Sequence, residues 1–161
     1  MNARGITRRA AILACGALLL TGCDDASPTG PEPSAALIPA APLLMDYVKV
    51  ETAPGSLNWL GSVSGDIDGG LETRVVGATQ SGHVLHIVTE WRVDAGLQSF
   101  EARLEGTLDT RSGGLLLNGE ITSGYLEGAR AFNQGQLTGI DAVTGGTVFE
   151  GSLRILPGSG S

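Results

Sequence analysis

The sequence predicts an all-β domain, a single antiparallel eight-stranded up-and-down barrel, from three observations. Apolar residues recur with a period of two from about Leu43 onward. Short segments rich in Asp, Gly, Ser and Thr interrupt that alternation, as turns do. Glycines stand inside the strands, in register with leucines, which suits the taper of a narrow closed interior. No uninterrupted helical pattern occurs in the same stretch.

Eight strands follow in order: Leu44–Thr52, Leu57–Ile67, Leu71–Ala78, Val84–Val93, Leu97–Leu108, Leu115–Ser123, Arg130–Ile140 and Thr147–Leu156. In the fourth, Leu85, Ile87, Thr89, Trp91 and Val93 alternate with His86, Val88, Glu90 and Arg92, as on a strand with one buried face. The fifth alternates Phe100, Ala102, Leu104, Gly106 and Leu108 with Ser99, Glu101, Arg103, Glu105 and Thr107. Leu115, Leu117, Gly119 and Ile121 define the inner face of the sixth, and Phe149, Gly151, Leu153 and Ile155 that of the eighth. In the seventh, Leu137 and Ile140 share a face only across a bulge, which Gly139 permits.

The turns make the topology a run of consecutive hairpins. Asp109-Thr110-Arg111-Ser112-Gly113-Gly114 recurs as Asp141-Ala142-Val143-Thr144-Gly145-Gly146, and Asp68-Gly69-Gly70 is a shorter form. The two longer turns are each followed by matching strands, Leu117–Ile121 and Phe149–Leu153, an internal repeat of one hairpin design. Residue size sets the register. Leu108 opposite Leu115 puts Gly106 against Leu117 and Leu104 against Gly119. In the preceding hairpin, Trp91 is placed opposite Phe100 and Ile87 opposite Leu104. A closed barrel also removes the edges that a flat sheet would have to protect.

Trp59-x-Gly61-x-Val63-x-Gly65, Phe100-x-x-x-Leu104-x-Gly106-x-Leu108-Asp109, Gly119 and Phe149-x-Gly151-x-Leu153 resemble the allene oxide cyclase and dirigent type of barrel. The resemblance spans Leu43 to Leu156 and concerns architecture. No position matches the catalytic glutamate of the cyclases or the acidic pocket residues of dirigent proteins. No catalytic residue is therefore carried over.

Ahead of the domain, Arg4, Arg8 and Arg9 precede the apolar run Ala10–Leu20, which ends in Leu20-Thr21-Gly22-Cys23. A basic n-region, a short apolar h-region and small residues at the cut make a secretory signal. The run is too short for a stable membrane-spanning helix. Its last four residues resemble the lipobox of bacterial lipoproteins. That resemblance implies a signal peptide over 1–22, cleavage before Cys23, and acylation (a palmitate-type lipid) of Cys23. Two or three acyl chains, at about 0.8 kcal/mol per buried CH2, anchor a protein stably. Thr7-Arg8-Arg9 also faintly resembles a twin-arginine export signal.

Residues 23–42 form a tether. Pro28, Pro31, Pro33, Pro39 and Pro42 favour extended, solvated backbone, with a reach of about 60 Å at roughly 3.1 Å per residue. Within it, apolar Ala35–Ile38 is placed against the outside of the domain or over an open end. The domain then occupies 43–157, with a disordered tail over 158–161.

Charge and cysteine usage exclude several functions. Residues 1–22 hold three of the ten basic residues and none of the seventeen acidic ones, so the remainder carries seven basic against seventeen acidic, a formal −10. That balance speaks against nucleic acid and against electrostatic adhesion to anionic lipid. The membrane partner is reached through the lipid anchor alone. Loss of Cys15 and acylation of Cys23 leave no thiol for a disulfide, a metal or a nucleophile. Lys49 is the single lysine of the chain.

Asp66-Ile67-Asp68 begins like a calcium loop but lacks the later ligands, so it reads as a hairpin turn, as do Asp109 and Asp141. His86 is placed opposite Glu105, and Glu90 opposite Glu101, on the solvated face. Trp59, Trp91, Phe100 and Phe149 fall on inner faces and are the candidate ligand-binding residues, at one end of a cavity. No cofactor or metal is expected. The leading reading is an envelope lipoprotein binding a small apolar or amphipathic ligand without catalysis. An isomerase or cyclase acting inside the barrel is a second reading, with Thr89, Gln134 and Gln136 as the inward polar candidates. A structural or partner-binding module is a third.

One consequence can be measured without knowing the ligand. Gly106→Val and Gly119→Val should each lower stability by about 1–3 kcal/mol through overpacking. Valine at Ser99 or Thr107, on the outer face, should be tolerated because it suits strands. Melting temperatures of the four variants decide the assignment of faces.

Overall fold

The computed structural model describes residues 41–158; the signal, Cys23, nearly all of the tether and all but the first residue of the tail lie outside them. The described residues form one closed antiparallel barrel with strands in sequence order: β1 (Leu43–Glu51), β2 (Asn58–Gly65), β3 (Gly69–Ser81), β4 (Val84–Asp94), β5 (Phe100–Asp109), β6 (Gly114–Gly124), β7 (Arg130–Ile140) and β8 (Thr147–Leu156). β8 closes onto β1, where Tyr47 faces Gly151 and Met45 faces Leu153. Among the described residues the one helical element is a 3-10 turn, Gly96–Gln98.

The alternation read from β4, β5, β6 and β8 is the inner face of the barrel. Trp91, Val93, Phe100, Leu104, Leu153 and Ile155 are all buried. The predicted pairings of β5 with β6 hold, with Leu108 on Leu115, Gly106 on Leu117 and Leu104 on Gly119. The bulge expected in β7 is present between Leu137 and Gly139, although Ile140 emerges on the exposed side.

The β4–β5 register differs from the expectation by two residues. Trp91 faces Ala102, Val93 faces Phe100 and Ile87 faces Gly106. Both registers keep the same faces, because a shift of two preserves the inward set. The turn decides between them. Leu97 does not open β5; it sits fully exposed in the 3-10 turn. Ser99 Oγ there accepts the Ala95 N–H at 2.9 Å. Charge also favours the observed pairing. Glu90 lies opposite Arg103 on one side and Arg74 on the other, and Arg92 lies opposite Glu101 and Glu72. Glu90 bonds both of its arginines, and Arg74 in particular holds its carboxyl below the usual range. The expected opposition of Glu90 to Glu101 is thus replaced by an alternating ladder. His86 faces Thr107, not Glu105.

The repeated turns are built alike. Asp109 Oδ1 accepts the N–H groups of Arg111 and Ser112. Asp141 Oδ1 accepts those of Val143 and Thr144. Backbone donors hold both carboxyls below their ordinary range, led by Arg111 for Asp109 and Thr144 for Asp141. Gly113 and Gly145 take positive φ at the same place in each turn, 75° and 69°. Asp66 Oδ2 accepts the Leu44 N–H at 2.8 Å and Asp68 Oδ1 the Gly65 N–H at 3.1 Å, so both pin a turn.

The strand glycines have a different reason. A Cβ on Gly106 would run into the Leu116 carbonyl, and one on Gly119 into the Arg103 carbonyl. Gly61 and Gly151 meet the carbonyls of Val48 and Gln134 in the same way. Neighbouring backbones occupy the space of the missing side chains, a closer obstacle than the leucine side chains expected from the sequence.

Because the obstacle is backbone, even one carbon is too many. Gly106→Ala and Gly119→Ala should each cost at least about 1–3 kcal/mol, seen as a fall in the urea midpoint. Thr107→Val remains the neutral control. Ser99→Val does not, since it removes the acceptor of the Ala95 N–H.

Candidate functional site

The two ends of the barrel are built differently. At the end holding the β2–β3, β4–β5 and β6–β7 turns, Met45, Ile67, Val93, Phe100, Ile121 and Ile155 are packed together and almost fully buried. At the opposite end, where β1 runs into β2 and β7 into β8, a cavity of about 330 Å³ opens between the strands. Its walls are mainly apolar: Ile87, Leu115, Leu117, Leu137, Trp59 and Phe149 contribute. The volume lies at the lower end of the ~300–1,000 Å³ typical of small-molecule pockets.

β1 supplies the two buried charged side chains, Lys49 and Glu51. Its inward face reads Met45, Tyr47, Lys49, Glu51, so the strand passes from the packed end into the cavity. Lys49 is 4 % exposed. Its Nζ donates to Thr73 Oγ1 at 3.1 Å, and no carboxylate among the described residues lies within ion-pair distance. The ammonium instead sits among aromatic rings, 4.2 Å from the centre of Trp91, 5.5 Å from Tyr47, 5.6 Å from Trp59 and 5.9 Å from Phe149. π faces favour a cation, by about 0.5–2 kcal/mol each in general. Removal from water works the other way and lowers the Lys49 pKa to about 7.

Glu51, also 4 % exposed, is satisfied locally. Its Oε1 accepts the N–H of Leu57, whose φ of 59° is unusual for a side-chain-bearing residue. Its Oε2 accepts both the N–H and the hydroxyl of Thr147, and Trp59 Nε1 donates to that same hydroxyl at 3.1 Å. Glu51 therefore holds the β1–β2 turn against β8 and fixes one cavity aromatic. Thr89 does the same for another, taking the Trp91 Nε1–H at 2.9 Å while donating to the Leu104 carbonyl. Deeper in, Asn133 Nδ2 donates to the Ser152 carbonyl. Asn133 Oδ1 and the Tyr47 hydroxyl are both buried without a well-formed partner among the described residues. Burial raises the Tyr47 phenol and the Asn133 carboxamide pulls it partly back.

The four aromatic candidates divide. Trp59 and Phe149 line the cavity, edge to face with centroids 6.1 Å apart. Trp91 lies beneath Lys49 and packs edge-on against Tyr47. Phe100 belongs to the packed end, away from the cavity, because the β4–β5 register carries it past Trp91 to Val93. Of the polar candidates Thr89 points inward, whereas Gln134 and Gln136 are exposed and Asn133 takes the inward place. Lys49, Glu51, Thr73 and Thr147 were not anticipated. Among the described residues no group of three or more His, Cys, Asp or Glu is arranged to hold a metal. Comparison with protein-family models, curated proteins and solved structures finds no match to this chain.

The buried amine makes stability depend on pH in a defined direction. Between pH 7 and the ordinary lysine range the unfolded chain holds a proton that folded Lys49 has released, so stability rises with pH. The slope approaches about 1.4 kcal/mol per pH unit. Urea unfolding at pH 7, 8 and 9 should show this rise in the wild type. Lys49→Met, which keeps the stem and drops the charge, should show a flatter profile and at least wild-type stability at pH 7.

Proposed function

We propose that the protein is an exported, lipid-anchored protein of the bacterial cell envelope whose barrel takes up a small apolar or amphipathic molecule. The observation that carries the binding half is the cavity of about 330 Å³, apolar along its walls and polar where Lys49 and Thr73 meet it. The anchoring half is supported by the signal-like leader and Leu20-Thr21-Gly22-Cys23. Kinship in architecture with allene oxide cyclases and dirigent proteins is part of the same reading. It is supported by the inward Trp59, Val63, Leu104, Phe149 and Leu153 and by the close-approach glycines Gly61, Gly106, Gly119 and Gly151. Catalysis within the barrel is the second reading, favoured by the inward Lys49 and Thr89.

The binding reading is tested by tryptophan fluorescence, since Trp59 lines the cavity and Trp91 lies just below it. Titration of the purified protein with fatty acids, terpenoids and 1-octanol should shift the emission with at least one of them. Val75→Phe, which fills part of the cavity, should weaken that ligand at least tenfold. Absence of any response across the panel would overturn the reading.

A further inference from the structure

The chain has one lysine, and the fold places it inside the cavity. All other basic side chains are arginines, apart from two histidines, and among the described residues every arginine is exposed. A side-chain primary amine is therefore found at one place, among groups that face the cavity. Thr73, which accepts from Nζ, lines it, as do Trp59 and Phe149. Glu51 shares that wall but spends both oxygens on Leu57 and Thr147, so it does not pair the amine. An amine in this setting, without a carboxylate partner among the described residues and desolvated enough to release its proton near neutrality, is a nucleophile.

We infer that Lys49 captures an apolar aldehyde or ketone inside the barrel as a reversible imine. The inference rests on the cavity being a ligand site and names the chemistry of its ligand. At roughly 30 Å³ per water-sized group, the cavity admits a chain of on the order of ten such groups. The neutral amine's lone pair attacks the carbonyl carbon and forms the C–N bond, the C=O π pair moves onto oxygen, and one Nζ proton passes to that oxygen. Thr73 Oγ1, 3.1 Å from Nζ, is placed to relay that proton. The C–O bond then breaks, the hydroxyl leaves with the second Nζ proton as water, and a C=N bond remains. Hydrolysis by the same steps in reverse releases the carbonyl compound, so no oxidant, reductant or cofactor is consumed. The imine nitrogen can take a proton from water, and the aromatic rings around Nζ favour that protonated imine as they favour the ammonium, while the apolar walls take the chain.

The probe is octanal, trapped with sodium cyanoborohydride at pH 7 and located by peptide mass spectrometry. One alkyl adduct on Lys49 is expected, formed at least tenfold faster in the folded protein than in the same protein unfolded in urea. Lys49→Met should keep the β-sheet circular dichroism and gain no such adduct. Octanol binding with labelling confined to the amino terminus, or equal rates folded and unfolded, would overturn the imine and leave the cavity reading standing. Neither octanol binding nor an adduct would overturn both.

Discussion

The barrel depends on the close approach of neighbouring backbones at Gly61, Gly106, Gly119 and Gly151. At each of these the carbonyl of the adjacent strand occupies the place where a Cβ would lie. Eight strands enclose a narrow interior only if the sheet coils tightly, and tight coiling brings one strand's backbone over the next. A side chain cannot be repacked around such a contact, because a carbonyl in a hydrogen-bonded ladder has nowhere to move. The leucines paired with Gly106 and Gly119 then gain room to cross the interior. The same logic serves Tyr47, whose hydroxyl rests against Gly135 and Gly151, a facing pair with no side chains. Closure, core packing and the position of the aromatic beneath the cavity are thus one constraint.

The unequal filling of the two ends follows from which side chains point inward. Met45, Ile67, Phe100, Ile121 and Ile155 pack together at one end, whereas at the other Trp59, Ile87 and Phe149 stand among threonines, half-buried Val75, Leu85, Leu108 and Leu137, and the glycine-bearing β5–β6 turn. A sealed, dry void of about 330 Å³ would cost on the order of 8 kcal/mol at ~24 cal/mol per Å³. That approaches the whole stability of a typical domain, about 5–15 kcal/mol. A cavity of this size is compatible with folding because it opens at its mouth and carries polar groups in its walls, so an occupant can replace the missing contacts.

The fold was legible because period-two alternation and glycine spacing are local signals that closure does not alter. The β5–β6 register could be read from residue size, since glycine against leucine has few alternatives. The β4–β5 register could not, because two registers two residues apart bury the same side chains. A 3-10 turn at Gly96–Gln98 and an outer charge ladder chose between them, and the cost of setting Glu90 against Glu101 was the signal available in the sequence. The site was the least legible part. In β1 the inward face, Met45-Tyr47-Lys49-Glu51, is only half apolar, whereas the outward face, Leu44-Asp46-Val48-Val50, has three apolar residues of four, so alternation alone points to the wrong face. Ordinary preference sends Lys and Glu to solvent. Pairing with β2 and β8 reverses that here.

Lys49 is also the position least explained by packing. Methionine would supply a similar stem without the desolvation that lowers the amine's pKa to about 7, and buried charges are commonly replaced by apolar residues at no loss of stability. Among the described residues no carboxylate relieves that cost; Glu51, two residues along the same face, is turned to a backbone turn and a threonine. What the fold provides is a hydroxyl at one side of the nitrogen and four aromatic rings around it, two of them held by hydrogen bonds from their indole nitrogens. Those hydrogen bonds fix the cage before any ligand arrives. A residue that is costly for folding, rigidly surrounded and set in the wall of the apolar cavity is the one on which the binding chemistry proposed above rests.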